Sequence, residues 1–447
     1  MHVIVPQAET PVLAQCDVLV CGGGPAGVAA AIAAARHGAE VVLLERWPCV
    51  GGMGTAALVN HWVRSDREKL VIFGLVDESA RRLHERGWAR WFPRTPHLYE
   101  THWVEPEGLK VVWHEMLQEA GVRTICNLVA GDPVIEEGRI RGVLTDTKAG
   151  RRAVTAGIVI DATGDGDVAA KAGLGFEYGR RADGRVQGMT MVYRLCGIDE
   201  CRRQAMTDEE MEAIGEEMRA LSRAGDLPPY GPAFNPCRHA KNRQMANMSP
   251  VAGDPLDEEE LTALTARARR QAHEYVGFMR RRIPGFEQVE VEQTGFALGV
   301  RESRRIKGRK TLDADMVLSA RKQPDAVGHG FWGIDIHDPL GSGYSTWHDR
   351  NESIMLPAGQ SYHIPLGMCL NDDLPNLAVA GRCASATHEG LASVRLQSHC
   401  MVMGQGVGTA AALALQAGIE MTELEVAGLQ DVLRADGVYL EQVPPAA

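Results

Sequence analysis

Asp17-Val-Leu-Val-Cys-Gly22-Gly-Gly24-Pro25-Ala26-Gly27, followed by an alanine-rich run from Ala29 to Ala35 and then by Val41-Val-Leu-Leu-Glu45, decides the fold. The apolar run before Gly22 reads as a buried strand, and Gly22, Gly24 and Gly27 stand on the Gly-x-Gly-x-x-Gly spacing. That spacing serves a tight turn, a backbone bare enough to touch a pyrophosphate, and a helix start packed close to the sheet. Small residues let the helix approach the strands, and its N-terminus offers positive potential to phosphates. Glu45 follows Gly27 by 18 residues and ends the second strand, where a carboxylate can accept hydrogen bonds from a ribose diol. Glycines alone also mark ordinary strand-to-helix turns. It is the ordered set of strand, triplet, small-residue helix, second strand and terminal Glu that specifies a dinucleotide unit.

Three further segments narrow the dinucleotide to FAD. Arg46-Trp-Pro-Cys-Val-Gly51-Gly52-Met53-Gly54 puts a glycine pair just after the acidic strand end. FAD enzymes let the backbone pass the flavin-side phosphate there, and nicotinamide-only domains have no such requirement. Gly157-Ile-Val-Ile-Asp161-Ala162-Thr163-Gly164-Asp165-Gly166-Asp167 is a short buried strand that breaks into a glycine turn, as close approach to a cofactor demands. Leu377-Ala-Val-Ala-Gly381-Arg382 repeats that pattern before an apolar helix that begins near Ser398. The cofactor-binding candidates are Gly22, Gly24, Pro25, Ala26, Gly27, Glu45, Arg46, Gly51, Gly52, Met53, Gly54, Val129, Ala162, Thr163, Gly164, Gly381, Arg382, Leu396 and Gln397.

With these segments in hand, the chain resembles the FAD-dependent oxidoreductases of the glutathione-reductase structural type, in the branch related to fumarate reductase flavoproteins. Gly299-Val-Arg301-Glu302-Ser303-Arg304-Arg305-Ile306, Ile334-Asp335-Ile336-His337, Tyr362-His363-Ile364-Pro365 and Ala380-Gly381-Arg382-Cys383-Ala384-Ser385-Ala386-Thr387-His388 match that branch, and the likeness covers nearly the whole chain. Two places depart from it. Leu366 and Gly367 stand where the branch usually has an aromatic residue and an arginine, and Leu396 and Gln397 stand where Val-Met is common. The branch's usual substrate contacts therefore do not carry over directly. The resemblance implies an α/β fold: a Rossmann-like FAD-binding domain of glutathione-reductase type with an inserted α+β substrate or cap domain.

Composition bounds the alternatives. A chain of 447 residues with 45% hydrophobic content can bury a large core and carry two domains. A net charge of -11 argues against nucleic acid, whose phosphates are held mainly by lysine and arginine. Ten cysteines show no Cys-x-x-Cys pair, so neither a zinc site nor a disulfide framework is indicated from spacing, and reduced thiols in a cytoplasm are expected. The stretch Met1 to Gln15 holds prolines and an acidic residue where a secretion signal needs a basic start and an unbroken apolar core. The apolar helix from about Ser398 to Ala417 carries glycines and Gln405, which suits burial under a flavin better than a bilayer. No membrane partner is expected.

Between the motifs, Leu109, Val112, Trp113, Met116 and Leu117 recur at helical spacing. Thr207 with Glu210 forms a capping box ahead of a helix that stops near Gly225, and Asp257 with Glu260 opens a longer helix closing at Pro284-Gly285. Residues around Gly188 to Leu195 read as a strand, the floor of a substrate site. The expected layout is a first FAD-binding part over 1–175, with a helical insertion at about 56–120, a substrate domain over 176–370, and a second FAD-binding part over 371–447.

A flavin enzyme needs a partner for negative charge on the ring, a proton donor or acceptor, and substrate anchors. The helix start at Leu396, Gln397 and Ser398 offers free amides for the first role, unless it only begins a packed helix. The acid–base candidates are His61, His337, Tyr362, His363 and His388, since histidine titrates near pH 6.5 and responds to small environmental shifts. Tyr362 and His363 are neighbours in an extended segment, so they point to opposite faces. His337 fits either a catalytic place or one held by a neighbouring carboxylate. Among arginines, Arg395 is the preferred anchor, while Arg301, Arg304 and Arg305 around Glu302 read as a buried ion network. Cys49 reads as a packing thiol. No motif for covalent flavin is present, so noncovalent FAD is expected.

The leading functional expectation is a dehydrogenase or reductase transferring a hydride between flavin N5 and a small polar metabolite, carboxylated or hydroxylated. Without a second glycine fingerprint for a nicotinamide cofactor, an external electron donor or acceptor is expected. The alternatives are a flavoenzyme with a redox-neutral net reaction (hydration, elimination or isomerisation) and a noncatalytic FAD-binding protein. A monooxygenase fits less well, because the sequence around Gly381 lacks the Gly-Asp motif of those enzymes. A homo-oligomer is left open.

Overall fold

The computed structural model describes residues 9–92, 101–229, 233–240, 242–341 and 354–441. Met1 to Ala8, the first part of the stretch read for a secretion signal, lie outside the described residues. Strand β1 (Val12–Cys21), helix α1 (Pro25–Arg36) and strand β2 (Val41–Glu45) form the expected unit, with β1 and β2 parallel. β1 pairs on its other side with strand β3 (Gly150–Asp161), again parallel, and β2 pairs with Arg123–Cys126. Leu377–Val379 adds a further parallel strand to β3, and the hairpin of Pro133–Glu136 and Arg139–Thr147 continues the seven-stranded sheet antiparallel.

Register places the chemistry. Cys21 lies level with Leu44 and with Asp161, and Asp161 lies level with Val379. The turns that begin at Gly22, Arg46, Ala162 and Gly381 therefore all leave one edge of the sheet, the carboxyl ends of its parallel strands. Ligands of open α/β sheets bind at that edge.

The apolar helix read from Ser398 is α2 (Gln397–Ala417). Of its apolar window, 78% is buried within the fold. Its glycines explain the depth of that burial. A Cβ on Gly404 would stand 2.0 Å from the Ala26 carbonyl oxygen, and one on Gly408 would stand 2.2 Å from that of Ala30. The alanines of α1 and the glycines of α2 thus let two helix backbones touch. Gly404→Val is expected to destabilise the protein by about 3 kcal/mol, the upper end of ordinary overpacking, as read from urea unfolding.

The second sheet runs in the order Ala233–Ala240, Arg243–Val251, Met189–Cys196, Glu290–Thr294, all antiparallel. Helix Glu258–Arg282, capped by the Asp257 carboxylate on the Glu260 amide, covers one face through Tyr193, Tyr275, Phe278 and Phe286. The opposite face turns Val192 onto Leu58 of the first domain. The capping box of Thr207 and Glu210 and the helix Pro106–Glu119 form as the spacing indicates.

Two features differ from the expected layout. The insertion at 56–120, read as helical, also holds a three-stranded sheet of His61–Val63, Thr101–Val104 and Ala89–Phe92. Strands of three or four residues are too short to show a period of two. Residues 306–370, assigned to the substrate domain, send Ile306, Leu312, Val327, Phe331, Tyr362, Ile364 and Met368 into the core shared with α1 and α2. Strand Tyr362–Pro365 pairs with Ala326–Gly330 beside α2, not with the second sheet.

Candidate active site

The glycine turn is built by contact, and open where a ligand needs it. Gly22 has φ of +102°, and a Cβ there would meet the Ala162 carbonyl oxygen at 2.5 Å. A Cβ on Gly27 would stand 1.8 Å from the Gly22 carbonyl oxygen. A Cβ on Gly24, by contrast, would meet nothing within 4 Å. Gly24 also heads α1 with no side-chain cap, so the first-turn amides of a deeply buried helix face that open space.

Glu45, 3% exposed, accepts the Gly23 amide at 2.7 Å and the Trp47 amide at 2.8 Å. These bonds fix the carboxylate at the strand end and leave lone pairs over for a diol. Arg46 is exposed, and its guanidinium lies over the Trp47 ring at 5.0 Å. Val129 is 60% exposed, next to Leu128, whose amide donates to the Glu45 carbonyl at 3.0 Å. Gly51, with φ of +116°, donates to the Gly23 carbonyl at 2.7 Å, which ties the glycine pair to the first turn, and Met53 accepts the Val59 amide at 2.9 Å.

Around Ala162, Thr163 and Gly164 the organiser is Asp161. One carboxylate oxygen accepts the Thr163 amide and hydroxyl at 3.0 and 2.7 Å, and the other accepts the Ala169 amide at 2.8 Å. Arg382, in the turn after Gly381, pairs with Asp165 at 3.0 Å, while its Nη1 is buried without a hydrogen-bond partner. Asp165 is thus held ionised at low pH, mainly against its own burial, by Arg382 and the Ser303 hydroxyl at 2.6 Å.

At the start of α2, Leu396 is the N-cap residue and supplies no side-chain cap, so the first amides stay free. The Gln397 side chain is committed elsewhere: its Oε1 accepts the Trp62 indole at 3.3 Å, and its Nε2 donates to the Val59 carbonyl at 2.6 Å. Only its backbone amide is left for a ligand. Ser398 is likewise bound to the Val63 carbonyl at 2.8 Å.

The arginine triplet does not act as one cluster. Arg305 pairs with Glu302 and also holds the carbonyls of Ala386 and Gly179, each at 2.9 Å. Arg304 holds the Asp165 carbonyl at 2.8 Å and the Asp167 carboxylate at 2.6 Å. Arg301 turns away to the Gly188 carbonyl and the Thr190 hydroxyl of the second sheet, both at 2.7 Å. There its charge feels Arg395 and Asp335, and burial followed by the Arg395 charge pulls its pKa down to about 9. Arg395 donates to the Asp335 carbonyl at 3.0 Å, its Nε is buried and unpartnered, and burial lowers its pKa as well. His337 Nε2 lies 3.5 Å from Asp335, and burial pushes this imidazole down to about 4, so it is neutral at pH 7.

Glu302 is the second centre. Fully buried, it faces Arg305, the Gln187 amide at 2.9 Å, and His388 Nδ1 at 2.7 Å. His388 Nε2 and both polar atoms of the Gln187 side chain are buried with no partner. Glu302→Ala, which removes the main partner of a buried guanidinium, is expected to cost about 3–5 kcal/mol in chemical denaturation, whereas Glu302→Gln costs less because its one amide oxygen can still accept from Arg305 or from the Gln187 amide.

The remaining candidates fall elsewhere. His61 is half-buried, stacked on Trp103 at 4.5 Å, and burial lowers its pKa to about 4. Tyr362 commits its hydroxyl to Ser393 at 2.7 Å, and His363, on the opposite face as alternation requires, turns to Gln323 and His329. Neither makes a hydrogen bond to Arg301, Arg395 or Asp335 among the described residues. Leu366 and Gly367 form a buried turn whose Gly367 amide donates to Asp325 at 3.0 Å. Half-buried Cys49 lies 4.0 Å from the Thr55 hydroxyl, and burial raises its pKa, as suits a packing thiol.

The family described as FAD dependent oxidoreductase matches residues 17–433. The chain belongs to that family. It is 31% identical over 191 residues to digeranylgeranylglycerophospholipid reductase 2 of Methanothermobacter thermautotrophicus, covering 41% of this chain and 47% of that protein. It is 46% identical over 63 residues to the urocanate reductase of Eggerthella lenta, covering 13% and 10%. The chain spans about half the length of the first of these relatives. Among solved structures it is similar to a geranylgeranyl bacteriochlorophyll reductase-like protein from Thermoplasma acidophilum, with TM-score 0.48 and 13% identity over 94% of this chain and 84% of that one. Membership of that family makes FAD the cofactor of this enzyme. The uncapped start of α1, the open space at Gly24, the fixed Glu45 carboxylate and the unpartnered Arg382 nitrogen fit such a group.

Proposed function

We propose that this oxidoreductase transfers a hydride between noncovalently bound FAD and a small metabolite that carries a carboxylate or a similar anion. When bound, FAD supplies a hydride donor or acceptor at its N5. The reading rests on one observation: the Arg395 guanidinium stands 3.7 Å and His337 3.5 Å from the Asp335 carboxylate, and the buried charge of Arg301 is close enough to be felt by all three. Burial penalises both cations, and an incoming anion would relieve that penalty while the guanidinium forks orient it.

The proton role goes to His388. Its Nδ1 stands 2.7 Å from the Glu302 carboxylate without hydrogen-bond geometry, so both ring nitrogens are buried polar atoms free to meet a substrate. His61 and His337, pushed down to about 4, stay neutral across ordinary pH and serve as hydrogen-bonding groups. Free amides at the start of α2 would stabilise negative charge on the reduced ring. The named relatives are reductases, which favours the reductive direction. A separate electron carrier and a cytoplasmic setting complete the proposal.

The test is an anaerobic visible spectrum of the purified protein before and after NADH, NADPH, and a panel of hydroxy acids and enoates. Bleaching by a hydroxy acid, or reoxidation of the chemically reduced protein by an enoate, supports the reading. Conversion of a panel member with no net change in flavin redox state would replace it with the redox-neutral alternative.

A further inference from the structure

Apart from the arginine site, one cluster gathers three groups able to ligate a metal ion. His329 and His363 are direct partners across the antiparallel strands Ala326–Gly330 and Tyr362–Pro365. They are 0% and 1% exposed, with ring centroids 4.6 Å apart in an edge-on arrangement. The Nε2 atom of each is buried without a hydrogen-bond partner. Leaving such an atom unpaired costs about 1–3 kcal/mol, so two in contact call for an occupant. Their other nitrogens have neighbours: Nδ1 of His329 lies 3.0 Å from the Ser361 hydroxyl, and Nδ1 of His363 lies 3.2 Å from the Gln323 carbonyl and 3.1 Å from the Gln323 amide, which donates to it. A metal at Nε2 would select the tautomer in which each Nδ1 donates to its oxygen neighbour, the Ser361 hydroxyl or the Gln323 carbonyl, and Nε2 offers its lone pair. Glu441 completes the group, with one ligand atom from each residue lying within 4.8 Å of the others.

We propose that His329, His363 and Glu441 bind a divalent transition-metal ion, zinc by preference, with water as the fourth ligand, and that the ion clamps the C-terminal segment to the hairpin. Two imidazole nitrogens and one carboxylate oxygen form a donor set that zinc accepts readily.

Two lysines oppose the ion. Lys69 and Lys322 each bring an ammonium to 3.2 Å from the Glu441 carboxylate, and the Tyr439 hydroxyl donates to it at 2.9 Å. Both lysine side chains are partly exposed, at 45% and 35%, so they can turn into water as a cation arrives. Tyr439 then remains as outer support for the carboxylate. Ligand atoms around tetrahedral zinc stand about 3.3 Å apart, so ion binding would draw the three side chains in from their present spacing of up to 4.8 Å.

The experiment uses the FAD holoenzyme, stripped with EDTA, dialysed and titrated calorimetrically with zinc chloride, with metal analysis of the product. The expected result is one zinc per chain and a thermal midpoint that rises with zinc concentration. Glu441→Gln should weaken binding at least tenfold, His363→Gln should abolish stoichiometric binding, and Lys322→Met, which removes a competing ammonium, should tighten it. Flavin content should be the same in all of them. Less than a tenth of an equivalent bound to the wild type, or equal zinc affinity in wild type, Glu441→Gln and Lys322→Met, overturns the proposal. The last two variants alter partly exposed side chains, so they decide the matter even if His363→Gln fails to fold.

Discussion

Gly24→Val is expected to yield a folded protein that has lost FAD. A Cβ at this position meets nothing within 4 Å, and the backbone is extended (φ −71°, ψ −176°), so the side chain starts without a clash in the apoprotein. The same space lies over the uncapped first turn of α1, where a dinucleotide fold receives the pyrophosphate. A valine there costs the ligand about 3 kcal/mol in overlap and lost amide contact, or about a hundredfold in affinity. Gly27→Val is the contrasting variant. Its Cβ would stand 1.8 Å from the Gly22 carbonyl oxygen, a clash within the protein itself, so the fold should be damaged with or without FAD. Flavin absorbance after reconstitution and the thermal midpoint of each apoprotein separate the two cases. A Gly24→Val protein that retains FAD at wild-type affinity would show that the open space is not the cofactor's.

The cofactor turns were legible because their chemistry is local. Each is a strand, a glycine and a helix or loop within a few residues, and the parallel register that brings them to one edge follows from the topology of the fold. The role of α2 was legible in part: its glycines and Gln405 argued for burial, but nothing in the sequence said that Gly404 and Gly408 would touch the backbone of α1. The three arginines part for a physical reason. Arg301, Arg304 and Arg305 are adjacent in sequence, yet an extended backbone sends them to three different partners, Thr190, Asp167 and Glu302. Asp165 and Gln187 were missed as site residues because their partners are distant: Arg382 lies 217 positions from Asp165, and Glu302 lies 115 positions from Gln187. Tyr362 and His363 diverge as alternation requires, but where each side chain ends, at Ser393 or at Gln323 and His329, depends on the pairing with Ala326–Gly330, which carries no local signal.

Arg395→Met is expected to lower kcat/KM for an anionic substrate by about a thousandfold while leaving bound FAD and its spectrum unchanged. Truncating a buried charged hydrogen-bonding partner costs about 2–5 kcal/mol, and about 4 kcal/mol corresponds to that factor. Arg395 carries a desolvated guanidinium with its Nε unpartnered, so its removal withdraws binding without opening a core cavity of comparable cost. Arg395→Lys should recover little, because a point charge cannot reproduce a planar fork. Arg301→Met should act in the same direction, but with some loss of stability, since Arg301 also bridges to the Gly188 carbonyl and the Thr190 hydroxyl of the second sheet. Malonate provides a probe that does not depend on the true substrate: its binding, followed by the flavin difference spectrum, should weaken in both variants and in proportion to the loss of kcat/KM. If malonate perturbs the flavin equally in wild type, Arg395→Met and Arg301→Met, the two guanidiniums are structural and the anion site must be sought elsewhere. A malonate effect lost in both variants, with His388→Asn retaining malonate affinity but losing turnover, would separate the group that holds the substrate from the group that moves its proton.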